Sequence, residues 1–215
     1  MPKAVMSNGW TRETKRQTMP LNGDVGAATK RLYVHAVRVI VIRRLTNAGF
    51  PNKLHRSMSR PVIEHQDVVR PEWIDSNGHM NLAYYVVVFD FATDALYRAL
   101  NIGDAYREAS GNSCFTAETH TLYEREVHLG DKLLIRTWLF GADTKRLHYF
   151  HEMFHADSGE RSAVQELMAL HIDMSVRRVA PYPPERYAAL QRAVKEYAPA
   201  TLPKGAGRRI ALPGR

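Results

Sequence analysis

Apolar residues between positions 82 and 100 recur at intervals of three and four. Leu82, Ala83, Val86, Val87, Phe89, Phe91, Ala92, Ala95, Leu96 and Leu100 form a broad stripe, with Asp90, Thr93, Asp94, Tyr97 and Arg98 supplying polarity elsewhere. Asn77 or Asn81 can cap the start of this helix, and Asn101-Ile102-Gly103 supplies its stop. Twenty residues so rich in Val, Phe and Leu need a covering layer. The flanking segments have the composition to provide one: 62–70, 114–127, 132–140, 145–156 and 162–176 are rich in β-branched and aromatic residues. Gly130-Asp131, Gly141-Ala142-Asp143 and Asp157-Ser158-Gly159 punctuate them as turns. The order is strand, long helix, then a meander of four strands. It predicts an α+β layer fold, a five-stranded antiparallel sheet around one long central helix, over residues 61–180. Pro183-Pro184 opens a further helix, placed at 181–198, with Tyr187, Leu190, Val194 and Tyr197 on one face. The Gly/Pro/Arg-rich stretch 199–215 reads as a flexible tail.

The chemistry suggested by the chain lies just before the long helix, in Trp73-Ile74-Asp75-Ser76-Asn77-Gly78-His79-Met80-Asn81. One carboxylate, Asp75, precedes a helix N-terminus whose free N–H groups can hold a developing oxyanion. Such a pair suits attack on an activated carbonyl, with Asp75 as nucleophile or general base. It needs neither metal nor cofactor when the carbonyl is already electrophilic. A capping or turn role for Asp75 is the competing reading of the loop alone. His79 can orient the carboxylate or simply satisfy loop carbonyls, and Gly78 serves backbone geometry.

His151-Glu152-Met153-Phe154-His155 is a literal H-E-x-x-H, the signature of zinc hydrolases. Zinc binding requires that segment to be a helix. Its aromatic content and the turn signals on both sides predict a strand, on which the two imidazoles would lie about 13 Å apart. No metal site is expected there. Cys114 shows no activating neighbours, and a single cysteine excludes an intrachain disulfide and fits a reducing, cytoplasmic compartment.

The residues at 73–85 (Trp-Ile-Asp-x-Asn-Gly-His-Met-Asn-x-x-Tyr-Tyr), 116–123 (Thr-Ala-Glu-Thr-His-x-x-Tyr), 130–131 (Gly-Asp) and 145–151 (Lys-Arg-Leu-His-x-Phe-His) together resemble hot-dog-fold acyl-CoA thioesterases. The resemblance is to the 4-hydroxybenzoyl-CoA thioesterase-like group and, within it, to the betainyl-CoA thioesterases of carnitine degradation. It covers roughly residues 62–198. It implies an acyl-CoA substrate and a homodimer or homotetramer with active sites at the dimer interface. Asp75 then matches the acidic loop residue of the family, the backbone N–H of Leu82 the oxyanion donor, and Asp90 an acidic residue inside the helix. Relatives often carry a second Asp two residues before the loop Asp; Trp73 stands there instead.

Around this centre, Asn81 belongs with the loop. Trp73, Tyr84, Tyr85 and Tyr123 are candidates for the acyl pocket, and aromatic faces would suit a quaternary ammonium group. Ordinary packing is the alternative for each. Glu118 and His120 lie two apart on one strand and share a face, so they could line the same pocket. Coenzyme A carries phosphates, for which Lys145-Arg146 and Arg177-Arg178 are the candidate cations. The alternative to turnover is a hot-dog protein that binds CoA esters or a partner without hydrolysing them.

Charge changes the picture only at the front of the chain. Residues 1–60 hold 12 Lys and Arg against 2 Asp and Glu, whereas 61–215 hold 18 against 20. The overall charge of +8 therefore belongs to the N-terminal segment, and nucleic-acid binding by the domain is not expected. The apolar run 32–45 is too short and too charged to span a membrane, so no membrane association is expected. A transit peptide and a basic recruitment tail are both open for residues 1–60. The preferred expectation is a start at Met58, with the upstream stretch an over-extended reading frame.

Overall fold

The structure, a computed structural model, describes residues 60–212. The expectations for residues 1–59 lie outside that range. Five long or medium strands, β1 (Ile63–Val68), β2 (Asn112–Tyr123), β3 (Lys132–Ala142), β4 (Arg146–His155) and β5 (Arg161–Asp173), form an antiparallel sheet in the order β1-β3-β4-β5-β2. A two-residue β6 (Arg178–Val179) extends it along β5. The helices are α1 (Leu82–Ala99), α2 (Asp104–Ser110) and α3 (Pro184–Tyr197). The α+β layer arrangement expected from the order of elements, and the hot-dog architecture implied by the resemblance, are therefore present. Among the described residues no helix is long and apolar enough to cross a membrane.

α1 starts where Asn81 caps it: the Asn81 side chain accepts a hydrogen bond from Ala83 N. Tyr85, Val88, Phe89, Ala92, Thr93, Leu96 and Tyr97 are its buried face, spaced three and four apart. The first half packs with Leu133 and Ile135 of β3, Met153 of β4 and Val127, and the second half with Leu139, Leu147 and Tyr149. Two details correct the sequence reading. Thr93 and Tyr97 belong to the buried stripe, not to the polar side. The sheet of one chain also covers only one face of the helix, leaving Leu82 and Val86 exposed at 63% and 41%.

β2 stops at Tyr123 rather than running to 127, because Glu124 N and Arg125 N both donate to Ser162 O and turn the chain off the ladder. α2 and β6 have too few residues to show a period. The segment after α3, expected to be free, lies on the outer face of the sheet. Gly207 N–H donates to Glu166 Oε2 at 2.6 Å. Gly205 (φ +101°) passes so close that a Cβ there would sit 3.0 Å from Leu122 Cδ1 and 3.3 Å from Val164 Cγ2.

Candidate functional site

The loop before α1 is pinched shut by its own backbone. Ile74 and Met80 form a bridge, Asp75 N donates to His79 O, and Asn81 N donates to Trp73 O. Gly78 supplies the left-handed residue (φ +83°) that lets Gly78 N turn back to Asp75 O. Asp75 is half-buried, and its Oδ1 accepts from Asn77 N at 2.8 Å. Its Oδ2 has no hydrogen-bond partner among the described residues.

At the helix start, Ala83 N is taken by the Asn81 side chain and Tyr84 N by Asn81 O. Leu82 N–H has no acceptor among the described residues. The Tyr123 hydroxyl donates to Leu82 O at 3.4 Å, so the end of β2 stands beside this first turn. A free carboxylate oxygen and a free amide thus sit on one tight loop–helix junction. The first can add to a carbonyl or take a proton from water; the second can accept the oxyanion that results.

Other expected residues are placed differently. His79 faces Met80 O (Nδ1, 3.3 Å) and Glu126 (Nε2, 3.6 Å), not the Asp75 carboxylate. Trp73 is only 3% exposed. It stacks on Tyr84 at 5.6 Å, and the Arg70 guanidinium lies 4.6 Å over its ring. The protein's own cation and the core therefore occupy Trp73, which leaves no open face for a substrate ammonium. Tyr85 is likewise buried, its hydroxyl donating to Arg125 O and its ring packed edge-on against Tyr123. Tyr123 alone of the four aromatics is exposed at the junction.

Glu118 and His120 do share a face, but it is the outer one. They line a cleft of about 290 Å³ with His148, Glu166 and Arg208. There His148 Nε2 meets Glu166 Oε1 at 2.7 Å. Across the strand Thr121 is bonded to inward-facing Gln165, so its neighbour His120 points away from α1. The basic pairs lie toward the opposite end of α1 from Asp75. Tyr123 marks the Leu82 end of α1, whereas Lys145 O accepts from His171 N, which pairs with Cys114 near the other end. The 18 residues of α1 span about 27 Å between those ends. Arg146 is held by Asp143 (Nη2 to Oδ2, 2.6 Å), while Arg177 and Arg178 are exposed.

A larger cleft, about 460 Å³, opens between the second half of α1 and the start of β2. Asp90, Asp94, Arg98, Phe115, Thr93, Tyr97 and Thr116 are among its walls, and Asp75 is not. Burial, and then the neighbouring Asp90 carboxylate, push the Asp94 carboxyl upward. Of these walls only Asp90 was singled out from sequence. Thr93 and Tyr97 carried a legible signal, since the period that buries Tyr85 and Phe89 also buries them. Cys114 also borders the cleft, but burial raises its thiol to about 11, which makes it a poor nucleophile.

The H-E-x-x-H segment is strand, and alternation splits it. His151 points into the core, with Nδ1 2.8 Å from Thr137 Oγ1 and Nε2 3.0 Å from Thr93 Oγ1. Burial lowers it to about 3, so it is neutral. Glu152 points outward to the Trp138 indole N–H and Arg161. His155 pairs with Asp131. Among the described residues no three such side chains gather around one point.

Residues 69–190 match the model of the thioesterase-like superfamily. The chain is 38% identical over 156 residues to the betainyl-CoA thioesterase of Pseudomonas aeruginosa, a match covering 73% of this chain and 98% of that protein. It is 37% identical over 168 residues, 78% of this chain, to the L-carnitine dehydrogenase/betainyl-CoA thioesterase of Rhizobium meliloti, of which the match spans 34%. A Staphylococcus aureus protein solved in complex with CoA superposes with a TM-score of 0.67 at 28% identity, covering 76% of this chain and all of that one.

Proposed function

The chain belongs to the thioesterase-like superfamily and is a thioester hydrolase of hot-dog fold; from that premise we propose that it hydrolyses a short-chain, cationic acyl-CoA, with betainyl-CoA as its substrate, through Asp75 and the Leu82 amide. The observation that carries the reading is that Asp75 Oδ2 and Leu82 N–H, at one junction, are both without a protein partner among the described residues. The acyl identity is supported by the relative matched over 98% of its own length, which is a betainyl-CoA thioesterase.

In the reaction, the Asp75 carboxylate adds to the thioester carbon or removes a proton from the water that does so. The carbonyl electrons move to oxygen, where the Leu82 N–H meets them; one such donor contributes roughly 3 kcal/mol. Collapse expels CoA as its thiolate, and hydrolysis of any anhydride formed with Asp75 returns the carboxylate.

The active assembly we propose is a homodimer paired along β2. That strand is an edge, with Phe115 and Tyr123 exposed on it and Leu82 and Val86 exposed beside it. A long edge of this kind invites a second strand. Antiparallel pairing of two copies about the middle of β2 sets Tyr123 of one against the Asn112–Phe115 end of the other. The Asp75 junction of one copy then meets the Asp90/Asp94 cleft of the second, where an acyl ammonium would find carboxylates. The same pairing carries the second copy's Lys145 and Arg178 turns toward the first copy's junction, where CoA phosphates need cations.

The test is thiol release from betainyl-CoA and from 3,3-dimethylbutyryl-CoA, which has the same shape without the charge. We expect betainyl-CoA to be preferred and Asp75→Asn to abolish release. Equal rates for the two esters would remove the cationic acyl group from the proposal. No release from any CoA ester would leave a CoA-ester-binding protein in place of the enzyme.

A further inference from the structure

Two neighbouring inward positions of β4, Tyr149 and His151, are fully buried and polar. Burying such groups is costly unless every bond is made, and here the bonds lead to one place. The Tyr149 hydroxyl lies 3.2 Å from the Tyr97 hydroxyl and 3.5 Å from Thr93 Oγ1, both on α1. Thr116 of β2 is a further polar neighbour of this hydroxyl. His151 holds Thr93 from behind and is itself held by Thr137 of β3. Thr93, Tyr97 and Thr116 are all walls of the 460 Å³ cleft, two on its helix side and one on its strand side. Tyr149 therefore stands on the floor of the cleft, bonded to its helix side and next to its strand side.

We propose that Tyr149, backed by His151, is a positioning residue that sets the width of the cleft between α1 and β2, and so selects a compact acyl group over a long one. The proposal rests on the reading of this cleft as the acyl pocket. It gives a use to a histidine of the H-E-x-x-H segment that is turned into the core and lies outside the reacting junction. Hydrogen bonds weaken steeply as they lengthen, so a helix tied to the sheet through one phenol resists the separation that a longer acyl chain would demand.

Tyr149→Phe removes one oxygen and keeps the ring, and Thr93→Val removes the other hydroxyl at nearly constant volume. In both, the kcat/KM ratio of betainyl-CoA to octanoyl-CoA should fall by about 3- to 10-fold, the range one hydrogen bond supports. The change should appear in KM, with kcat nearly preserved. Thr93→Ser should retain the wild-type ratio. An unchanged ratio in both variants, with only a lowered Tm, would reduce the network to core structure and overturn the proposal.

Binding separates this failure from failure of the enzymatic reading. S-(2-trimethylammonioethyl)-CoA and S-octyl-CoA are thioethers that cannot be hydrolysed, and their Kd ratio should shift in the same direction whether or not the protein turns over. A shift in Kd ratio without turnover in wild type supports the cleft and counts against the Asp75 chemistry. Turnover that Asp75→Asn abolishes, with a fixed Kd ratio, does the reverse. Failure of the trimethylammonioethyl thioether to bind wild type, together with no turnover of betainyl-CoA, overturns both.

Discussion

The two ends of α1 do opposite things with polarity. At its start, the loop leaves a carboxylate oxygen and an amide unused while Asn77, Asn81, Ala83 and Tyr84 beside them are engaged. In its second half the hydroxyls of Thr93 and Tyr97 are bonded to β4, and the cleft beside them is bounded by Asp90 and Asp94. One end has chemistry but no enclosed pocket of its own; the other has a pocket without a nucleophile. The difference teaches that one copy of the chain holds two halves of a site, some 12 to 18 Å apart along the helix from Leu82 to Asp90 and Asp94. That gap is too long for a two-carbon acyl group to bridge within one chain, which is the physical argument for completing the site with a second copy.

The sharpest way to break the comparison is Asp75→Asn, which keeps the Asn77 bond available but removes the charge. We expect kcat to fall by about 10²- to 10⁴-fold with KM little changed. Wild-type rates would place the chemistry elsewhere. Next is Leu82→Pro. Leu82 is the first helical residue, where proline is well tolerated, and Asn81 (φ −60°, ψ 141°) already has the backbone a following proline demands. The substitution deletes one N–H and leaves the helix. A fall in kcat of about 10²- to 10³-fold at constant helical CD signal is expected. A variant as active as wild type would show that another donor holds the oxyanion.

The cleft end should respond to acid. His151 is held neutral by burial, below its unfolded value of 6.5, at about 3. The unfolded chain therefore binds the extra proton first. The stability contribution of the neutral imidazole is complete above pH 6.5 and is lost as pH falls from there toward 3. Tm should drop over that window, and drop less in His151→Phe; parallel Tm curves for the two proteins would contradict the burial argument. The smallest effect is on selectivity at the junction. Trp73→Ala should cost several kcal/mol of stability, because it opens a core cavity. It should leave the ratio of betainyl-CoA to 3,3-dimethylbutyryl-CoA hydrolysis unchanged. Asp94→Asn should reduce that ratio by about 10-fold or less, in keeping with one screened charge contact. A reversed pattern would return the ammonium to the aromatic side.

Much of this was legible in the chain before any coordinates. Apolar spacing placed α1 to within a residue or two, and turn residues separated the strands, because both signals are local. Asp75 and Leu82 could be paired because only six residues of loop, 76–81, separate them whatever the fold does. The rest depends on long-range geometry. Glu118 and His120 share a face by alternation, but which face meets α1 is decided by the register with Gln165 and Glu166. Arg70 cannot be seen to claim the Trp73 ring until the loop closes. Lys145 and Arg178 have the charge that coenzyme A phosphates need, yet they lie at the far end of the helix. Thr93 and Tyr97 fit the buried period; their polarity drew them to the wrong side of the wheel.

The stretch that crosses Leu122 and Val164 also limits how copies can be stacked. With Gly205 threaded against those two side chains and Gly207 pinned to Glu166, the back of the sheet is not a bare platform. A second pair of subunits could settle sheet-to-sheet on that surface only by lifting the clasp away, and a bulkier residue at position 205 would start that lifting from within.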